Sequence, residues 1–350
     1  MLAPLLMSSV SFHPSAGCQI IEQEVPSPSR SQVLLKLVCA SLNANDIDLY
    51  NDTVSGRIKT NTSITPCHEA CATVVSYGDL VEGFDVGELV AINPCRPCWH
   101  CKYCLNDQTH LCLDTITTNQ ELAYAKHGML SEYFVVEDYQ CYPVGPECDT
   151  HLLSLCAALA GALHRTNRAG PLLGKRVLVS GSNANGLLTA LAATLEAAEK
   201  VYYLADSEHT ILTAMQLGIT NIVDTRLSDT HKQEILSDID IAIETSGSTH
   251  LLHDCLYYVS RGGRVVYSSG KQDNVSISLL YLIAQKELEL RGATQFDGEF
   301  AKAVDLIARQ EVNLLPLITT SVPFEESISA FELASSKRPT IKVLISARNE

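Results

Sequence analysis

Short apolar runs separated by turn-forming residues characterise the first part of the chain. Val33–Val38 and Val86–Ile92 are two such runs, and glycine, proline and aspartate residues lie around them. Apolar segments of roughly four to eight residues with boundaries of this kind are typical of β-strands. Residues 1 to about 155 are therefore predicted to be mostly strand.

The hydrophobic pattern changes near residue 175, where short apolar runs begin to alternate with longer stretches of helical periodicity. This βαβ alternation predicts a parallel sheet covered by helices on both faces. The predicted strands are Arg176–Ser180, Val201–Leu204, Ile239–Glu244 and, after a turn at Gly262–Gly263, Arg264–Ser268; the predicted helices are Gly186–Glu199, Thr210–Leu217 and Leu251–Val259. Two amphipathic helices, Phe300–Gln310 and Phe324–Ser335, and a strand at Ile341–Ile345 complete the chain.

The composition indicates an ordinary globular protein. The chain has 350 residues, of which 46% are hydrophobic and 19% charged, and a length of roughly 150 residues per domain predicts two domains. Its net charge of −15 argues against nucleic acid or an anionic membrane surface as the main partner, because both require a basic face. The most apolar run, Leu152–Leu163, is shorter than the ~20 residues that cross a bilayer.

No targeting segment is predicted. The first seven residues are apolar, but the first basic residue is Arg30, whereas a secretory signal peptide has a basic region ahead of its apolar one. The protein is therefore expected in the cytoplasm, without a membrane partner. In a reducing compartment, closely spaced cysteines bind metal ions more often than they form disulfides.

Four of the thirteen cysteines follow a metal-ligand spacing. Cys98, Cys101, Cys104 and Cys112 form the pattern C-x2-C-x2-C-x7-C, in which one short loop can bring four thiolates to one ion. Four sulfur ligands satisfy tetrahedral Zn(II) and leave no open position, so the predicted site is structural zinc. Two alternatives are that the four thiols are free, or that Cys95 joins Cys98, Cys101 and Cys104 in an iron–sulfur ligand series.

A nucleotide-binding loop is predicted between the first strand and the first helix of the second half. Gly181 permits a tight turn, Gly186 permits close helix packing, and amides at the helix amino terminus can hold a pyrophosphate. Asn183 occupies the middle position of G-x-G-x-x-G, where the tolerance of asparagine for left-handed backbone angles is expected to preserve the turn. Asp206, at the end of the next strand, is placed to bind both ribose hydroxyls.

The residues after Asp206 favour NAD(H) over NADP(H). Ser207–Thr210 contain no lysine or arginine that could receive a 2′-phosphate. The alternative for the whole loop is a doubly wound domain that binds no nucleotide and whose glycines serve only as turn residues.

The order of these features resembles the zinc-containing alcohol dehydrogenases of the medium-chain dehydrogenase/reductase superfamily, in particular the polyol and sorbitol dehydrogenase type. Other segments also resemble that family: Cys67–Glu69, Gly83–Phe84, Val86–Val90, Gly128–Tyr133, Leu173–Val177, Glu244–Gly247 and Gly262–Gly263. The resemblance extends over nearly the whole chain.

The resemblance implies an α/β fold with two domains. A GroES-like, β-rich catalytic domain would comprise residues 1–156 and 298–350 and include the cysteine lobe at residues 95–113. A Rossmann domain with a doubly wound parallel sheet would comprise residues 157–297. The family resemblance also implies NAD(P)-dependent hydride transfer to or from a small alcohol or carbonyl substrate, and a homodimer or homotetramer.

The residues that hold a catalytic zinc in that family are only partly present. Asn43 stands where the family has a cysteine, and the third ligand position aligns with Ala157. His68 and Glu69 match the family's histidine and acid, and are therefore a candidate remnant of the zinc site. A catalytic zinc requires three protein ligands and an open position. Cys156 is one residue from the third position, which is a rotation of ~100° on a helix.

Leu42–Asp46 resembles instead the L-N-x-x-D segment of the metal-free quinone and enone reductases in the same superfamily. There, hydride passes to an electron-poor alkene or quinone, and hydrogen-bond donors stabilise the enolate. This resemblance makes Asn43 a candidate donor and His68 a candidate proton source; a turn residue and a structural histidine are the alternatives. Four functions therefore compete: a zinc-type dehydrogenase with a non-standard ligand set, a reductase with structural zinc only, a non-catalytic nucleotide-binding protein, and a protein whose glycine-poor loop no longer binds nucleotide.

Overall fold

The fold comprises two compact units. A computed structural model describes residues 4–57, 62–114, 128–268, 277–336 and 338–347. The first unit consists of Met1–Ala157 together with Phe300–Glu350, and the second consists of Ala158–Glu299. The carboxyl-terminal part of the chain therefore completes the unit that the amino-terminal part begins.

The first unit is built mainly from β-strands, as the sequence pattern predicts. Its strands are β1 (Leu6–His13), β2 (Gly17–Glu24), β3 (Gln32–Ser41), β4 (Glu69–Tyr77), β5 (Leu89–Ile92), β6 (Tyr133–Glu137), β7 (Cys141–Pro143), β14 (Ile318–Pro323) and β15 (Lys342–Ser346). β1 and β2 pair as an antiparallel hairpin. The other strands form a seven-stranded sheet in the order β14-β15-β3-β4-β5-β7, with β6 paired to β3. The pairing of β15 with both β14 and β3 places a strand near the end of the chain inside this sheet, one strand from its edge.

Helices surround the sheet of the first unit. They are α1 (Ala44–Val54), α2 (Thr150–Leu153), the beginning of α3 (Cys156–Ala169), most of α9 (Glu299–Ala308) and α10 (Ser327–Ser335). The rings of Phe12, Tyr50 and Phe331 pack together with centroid distances between 4.9 and 5.9 Å. This aromatic cluster joins β1, α1 and α10, and so helps to fix the position of α1, whose amino terminus lies in the candidate site.

The second unit contains the predicted doubly wound sheet. Its parallel strands are β8 (Arg176–Ser180), β9 (Lys200–Ala205), β10 (Asn221–Asp224), β11 (Ile239–Glu244), β12 (Val259–Tyr267) and β13 (Glu289–Gly292). Their order is β10-β9-β8-β11-β12-β13. The strand order reverses between β8 and β11, which is the point where doubly wound sheets bind nucleotides.

Five helices follow the strands of this sheet in the described residues. They are α4 (Ala184–Leu195), α5 (Glu208–Gln216), α6 (Asp229–Ile235), α7 (Thr249–Tyr258) and α8 (Ile277–Lys286). Leu178, Leu204 and Val265 belong to the apolar core between sheet and helices. None of the helices described in the chain combines the length and the apolar character needed to cross a membrane.

Two predicted boundaries are wrong. The strand predicted from Val86 begins only at Leu89, because Val86 lies exposed in a turn. The turn predicted at Gly262–Gly263 is an irregularity inside β12: the register with β11 jumps from the pair Ile239–Val259 to the pair Ile241–Arg264. Glycine is common both in β-bulges and in turns. The two glycines at positions 262 and 263 therefore do not reveal from the sequence which of the two structures they form.

Candidate functional site

The four cysteines of the predicted metal site lie together. The Sγ atoms of Cys98, Cys101, Cys104 and Cys112 are all within 4.8 Å of one another. The Sγ of Cys104 lies 3.8 Å from that of Cys98 and 3.6 Å from that of Cys101. With Zn–S bonds of about 2.3 Å, sulfurs at the corners of a tetrahedron are about 3.8 Å apart. The donor set and its spacing therefore fit one Zn(II).

Backbone amides point at these sulfurs. The N–H of Cys98 donates to the Sγ of Cys112, and the N–H of Cys101 donates to the Sγ of Cys98, both at 3.3 Å. A backbone hydrogen bond from Cys104 is the largest of the causes that lower the pKa of Cys101 to about 7. Amide donors stabilise thiolate over thiol, and thiolate is the form that binds a metal ion.

Cys95 does not belong to this cluster. Among the described residues, the one other group of three such ligand atoms is Cys98 with His100 and Asp114, a set that the sequence analysis missed. His100 follows Cys98 by two residues, which is the signal that could have revealed it. Because this group shares Cys98 with the four-cysteine cluster, it is not an independent site. The iron–sulfur series that includes Cys95 is not the set that the fold brings together.

Asn183 begins helix α4. Its side-chain oxygen accepts a hydrogen bond from the N–H of Gly186 at 3.0 Å, so it is the N-cap. Its φ is −148°, which lies in the extended region. The turn is preserved as predicted, but Asn183 does not use the left-handed angles that asparagine tolerates. Asparagine suits the position because it is among the best N-cap residues.

The two glycines of the loop are sterically required. Gly181 has a φ of +132°, and a Cβ at Gly186 would lie 1.8 Å from the carbonyl oxygen of Gly181. The Tyr203 hydroxyl donates to that same oxygen at 2.9 Å. This tight turn directs the chain from β8 into the amino terminus of α4, the arrangement that binds a pyrophosphate in dinucleotide-binding folds. The loop therefore fits a dinucleotide cofactor.

Asp206 follows directly after β9 and is exposed. Its N–H donates to the Ser182 hydroxyl at 2.9 Å, so the acid lies next to the glycine loop. The sequence analysis missed Arg226, which follows β10, the strand that pairs with β9. The carboxylate of Asp224 pairs with Arg226 and is the main cause that raises the pKa of its guanidinium; Glu208 and Asp206 add smaller effects. The sequence could have revealed that Arg226 lies near Asp206, because both residues follow strands of the predicted parallel sheet and the carboxyl ends of such strands lie at one edge.

His68 lies beside the amino terminus of α1. Asn43 is the N-cap of that helix: its side-chain oxygen accepts from the amides of Asn45 and Asp46 at 2.8 and 3.2 Å. Its Nδ2 donates to Asp46 Oδ2 at 2.6 Å and lies 3.4 Å from both ring nitrogens of His68. The amide of Asn43 is therefore engaged within the chain at both ends, and it links the buried Asp46 to His68.

Cys67, immediately before His68, has a strained backbone. Its φ is +77°, a conformation that glycine adopts readily and other residues rarely. The Cys67 N–H donates to Asp46 Oδ1 at 2.8 Å, and its thiol donates to the carbonyl of Ser41 at 3.2 Å. These two buried hydrogen bonds hold Cys67 at the unfavourable angle, at a position where the family that the sequence resembles has glycine.

Glu69 is half of a buried ion pair. Its Oε2 accepts from Lys342 Nζ at 2.6 Å and from the Ser41 hydroxyl at 2.9 Å. Lys342 Nζ also donates to the carbonyl of Leu42 at 3.2 Å. The side chains of Glu69 and Lys342 are 6% and 4% exposed. Lys342 is a residue that the sequence analysis missed, and nothing in the local pattern around it could have revealed its partner.

The predicted remnant of a catalytic zinc site is not assembled as a ligand set. Among the described residues, His68 belongs to no group of three or more cysteine, histidine or acidic ligand atoms. Ala157 offers no ligand atom. Cys156 is buried, and burial raises the pKa of its thiol, which disfavours the thiolate that a metal ion requires. The residues present around His68 therefore do not fit a catalytic zinc.

Two family models match the chain. The alcohol dehydrogenase GroES-like domain matches residues 29–146, and the zinc-binding dehydrogenase family matches residues 186–309. The first match contains the cysteine cluster and His68. The second begins at Gly186, the last glycine of the loop.

Two named dehydrogenases are similar in sequence to this chain over most of their length. L-idonate 5-dehydrogenase (NAD(P)(+)) of Escherichia coli K12 is 30% identical over 315 residues, which are 89% of this chain and 90% of that protein. Sorbitol dehydrogenase of Bos taurus is 25% identical over 351 residues, covering 96% and 95%.

Solved structures have the same fold. The structure of E. coli L-idonate 5-dehydrogenase superposes with a TM-score of 0.83 and 25% identity, covering 97% of this chain and 98% of that one. An alcohol dehydrogenase of E. coli CFT073 complexed with NADH superposes with a TM-score of 0.87 and 21% identity, covering 98% and 100%. These likenesses confirm the predicted pairing of a GroES-like domain with a Rossmann-like domain. The chain thus belongs to the zinc-type alcohol dehydrogenases of the medium-chain dehydrogenase/reductase superfamily, which are NAD(P)-dependent oxidoreductases.

Proposed function

We propose that this oxidoreductase interconverts a small secondary alcohol and its carbonyl compound with NAD(H), with His68 transferring the proton and one zinc ion serving structure only. The observation that carries this proposal is the environment of His68: its ring contacts Asn43, while the neighbouring Glu69 is paired with Lys342. Histidine is the side chain best suited to exchange a proton near neutral pH. His68, together with a Glu69 carboxylate that is already paired with Lys342, does not supply the three ligands of a catalytic zinc.

The cofactor would lie on the second unit. The turn from Gly181 to Gly186 would hold its pyrophosphate, and Asp206 would bind the ribose hydroxyls. We favour NAD(H) over NADP(H) because a 2′-phosphate would approach the exposed carboxylate of Asp206. Arg226 does not reverse this preference, since its guanidinium is paired with Asp224 at 2.5 Å. The nicotinamide, when bound, supplies or accepts the hydride.

Gly186→Ala is expected to weaken NADH binding by at least about 10-fold and to lower the free energy of unfolding by ~1–3 kcal/mol. The added Cβ would meet the carbonyl oxygen of Gly181 at 1.8 Å, so the turn must open. NADH fluorescence titration and urea denaturation measure the two effects. Gly298→Ala is the matched control, because a Cβ there meets nothing within 4 Å. Unchanged binding and stability in Gly186→Ala would contradict the assigned turn.

The zinc ion would hold the lobe together and take no part in the reaction. Cys98, Cys101, Cys104 and Cys112 would occupy all four tetrahedral positions, so no position remains for substrate or water. One zinc per chain is therefore the expected content. Elemental analysis of the purified protein tests this directly, and two zinc ions per chain would overturn the role assigned to His68.

His68 would protonate the carbonyl oxygen in reduction and accept the hydroxyl proton in oxidation. Asn43 is better suited to positioning than to catalysis, because its Nδ2 is hydrogen-bonded to Asp46 and lies 3.4 Å from the His68 ring nitrogens. Polyols and related secondary alcohols are the substrate class that we favour, since sorbitol dehydrogenases and L-idonate 5-dehydrogenase are among the similar proteins. Turnover of enones or quinones without turnover of any polyol or ketose would overturn this substrate class.

His68→Asn is expected to lower kcat by about 10²–10⁴-fold, the usual contribution of a general acid or base. The affinity for NADH should change by less than about twofold, because the described hydrogen bonds join the His68 ring to Asn43 and not to the nucleotide turn. Steady-state kinetics with a polyol panel and NADH titration measure these quantities. His151→Asn is the matched control, being a partly exposed histidine of the same unit. A kcat within about twofold of the wild type would show that His68 is structural.

We also infer a homodimer or homotetramer located in the cytoplasm. Membership in this family supports the oligomer, and sedimentation velocity tests it. All thirteen cysteines lie in the described part of the chain and none of them is in a disulfide, which supports a reducing compartment.

A further inference from the structure

Arg165 lies inside the second unit with its guanidinium between two elements of the nucleotide-binding edge. The residue is on α3 and is mostly buried. Its Nε donates to the Ser268 hydroxyl at 3.0 Å, and its Nη1 donates to the Thr189 hydroxyl at 3.4 Å. Ser268 directly follows the carboxyl end of β12, and Thr189 is on α4. The guanidinium therefore connects the end of one strand to the helix that follows the glycine turn.

No carboxylate in the described part of the chain balances this cation. Within the residues that the structure describes, no acidic oxygen lies within 4.0 Å of Arg165, and both hydrogen-bond partners are neutral hydroxyls. Burial alone lowers the pKa of the guanidinium to about 10. Four other arginines of the unit contact acids: Arg264 and Arg291 contact Glu289, Arg226 contacts Asp224, and Arg176 contacts Asp238. Arg168 and Arg261 donate to backbone carbonyls and are exposed to solvent. Burying a charge without a counterion costs free energy. Arg165 is therefore the arginine of this unit whose buried charge a bound anion would stabilise most.

The nucleotide turn lacks a cation of its own. The segment from Gly181 to Gly186 contains no lysine or arginine, and the chain has a net charge of −15. A pyrophosphate carries two negative charges. The Thr189 hydroxyl that accepts from Arg165 donates to the carbonyl of Asn185 at 2.6 Å, and Asn185 is in the first turn of α4. One hydroxyl thus separates the guanidinium from the helix end that would receive the phosphates.

The strand order indicates which half of the cofactor Arg165 meets. In doubly wound sheets the two halves of a dinucleotide bind on opposite sides of the point where the strand order reverses. That reversal lies between β8 and β11 here. Asp206 follows β9 on one side, and Ser268 follows β12 on the other. Arg165 reaches from the β12 side toward α4.

We propose that Arg165 binds the cofactor pyrophosphate from its nicotinamide side, through charge-assisted hydrogen bonds to a phosphate oxygen. This inference rests on the proposed placement of the dinucleotide at the glycine turn. Arginine suits the role because its planar guanidinium can donate two hydrogen bonds to one phosphate. The hydroxyls of Ser268 and Thr189 would hold the side chain in position before the cofactor arrives.

The test compares three nucleotides on one variant. Arg165→Met is expected to weaken NADH and ADP-ribose binding by about 10–100-fold, measured by fluorescence titration and calorimetry. AMP lacks the phosphate of the nicotinamide side, so its affinity should change by less than about threefold. Arg165→Lys keeps a positive charge but loses the planar guanidinium that can donate two hydrogen bonds to one phosphate. Its affinity for NADH and ADP-ribose should therefore lie between those of Arg165→Met and the wild type. Arg168→Met is the matched control, since Arg168 is exposed on the same helix and donates to the Gly292 carbonyl.

The stability of the nucleotide-free protein separates binding from a structural role. Replacing an unbalanced buried cation with an apolar side chain of similar length should leave the unfolding midpoint of Arg165→Met unchanged or raise it. A lowered midpoint, or a variant that does not fold, would assign Arg165 to structure and overturn the proposal. Unchanged affinity for ADP-ribose, or an equal loss for AMP, would do the same. Wild-type protein that binds neither NADH nor NADPH would instead overturn the proposed function itself.

Discussion

Cys98→Ser is expected to reduce the zinc content from about one equivalent per chain to nearly none. Serine is a poor ligand for Zn(II) compared with thiolate, and the four sulfurs within 4.8 Å of one another would lose one corner of the tetrahedron. In isolated zinc-finger peptides, zinc binding supplies about 10–16 kcal/mol, so the lobe at residues 95–113 would lose its main source of order. Elemental analysis measures the zinc, and limited proteolysis with mass mapping measures the order of the lobe.

Cys95→Ser is the matched control for this experiment. Cys95 is three residues away and, like Cys98, partly exposed, but it is outside the four-cysteine cluster. It should keep one zinc per chain and a protease-resistant lobe. Equal zinc loss in both variants would contradict the ligand assignment. Iron together with visible absorption in the wild type would replace zinc with an iron–sulfur centre.

Lys342→Met is expected to lower the free energy of unfolding by about 3–5 kcal/mol, the usual cost of removing one partner from a buried ion pair. The Glu69 carboxylate would remain buried, with the hydrogen bond from the Ser41 hydroxyl at 2.9 Å still in place. The Leu42 carbonyl would also lose its hydrogen bond from Nζ. Urea denaturation followed by circular dichroism measures the loss.

Two further variants test this explanation. Glu69→Gln combined with Lys342→Met removes both charges, so the double variant should be more stable than Lys342→Met alone. Lys175→Met is the matched control, because its ion pair with Asp240 is exposed and exposed pairs contribute about 0–1 kcal/mol. A double variant less stable than Lys342→Met, or a loss in Lys175→Met as large as that in Lys342→Met, would show that the buried pair is not the cause.

The predictions that succeeded depend on residues close together in the chain. The four cysteines span fifteen positions, and their spacing was sufficient to predict that the sulfurs converge. The alternation of strands and helices after residue 175 likewise predicted the parallel sheet, because each βαβ unit is formed by contiguous chain. Gly181 and Gly186 stand where the turn needs them. Asn183 was predicted to be compatible with the turn because asparagine tolerates left-handed angles, whereas the property that the fold uses is its ability to cap a helix.

The predictions that needed correction concern what surrounds His68. Asn43 could be recognised as a departure from the zinc ligand pattern, but its amide also caps α1 and contacts both Asp46 and His68. The resemblance to family motifs indicates that Asn43, Asp46 and His68 lie near one another. It does not show which hydrogen bonds form among them. The segment Cys67–Glu69 was recognised as resembling the family, whereas the φ of +77° at Cys67 appears only in the folded chain.

The sequence by itself determined the two-domain architecture, the four-thiolate cluster and the glycine turn, because short-range backbone geometry and hydrophobic periodicity specify each of them. Only the tertiary structure decided that Glu69 pairs with Lys342, 273 residues away, and that Arg165 meets Ser268, 103 residues away. Such partners are set by how strands register and how helices pack over them. A buried charge takes whichever group the completed fold brings within reach, and no local pattern records that choice.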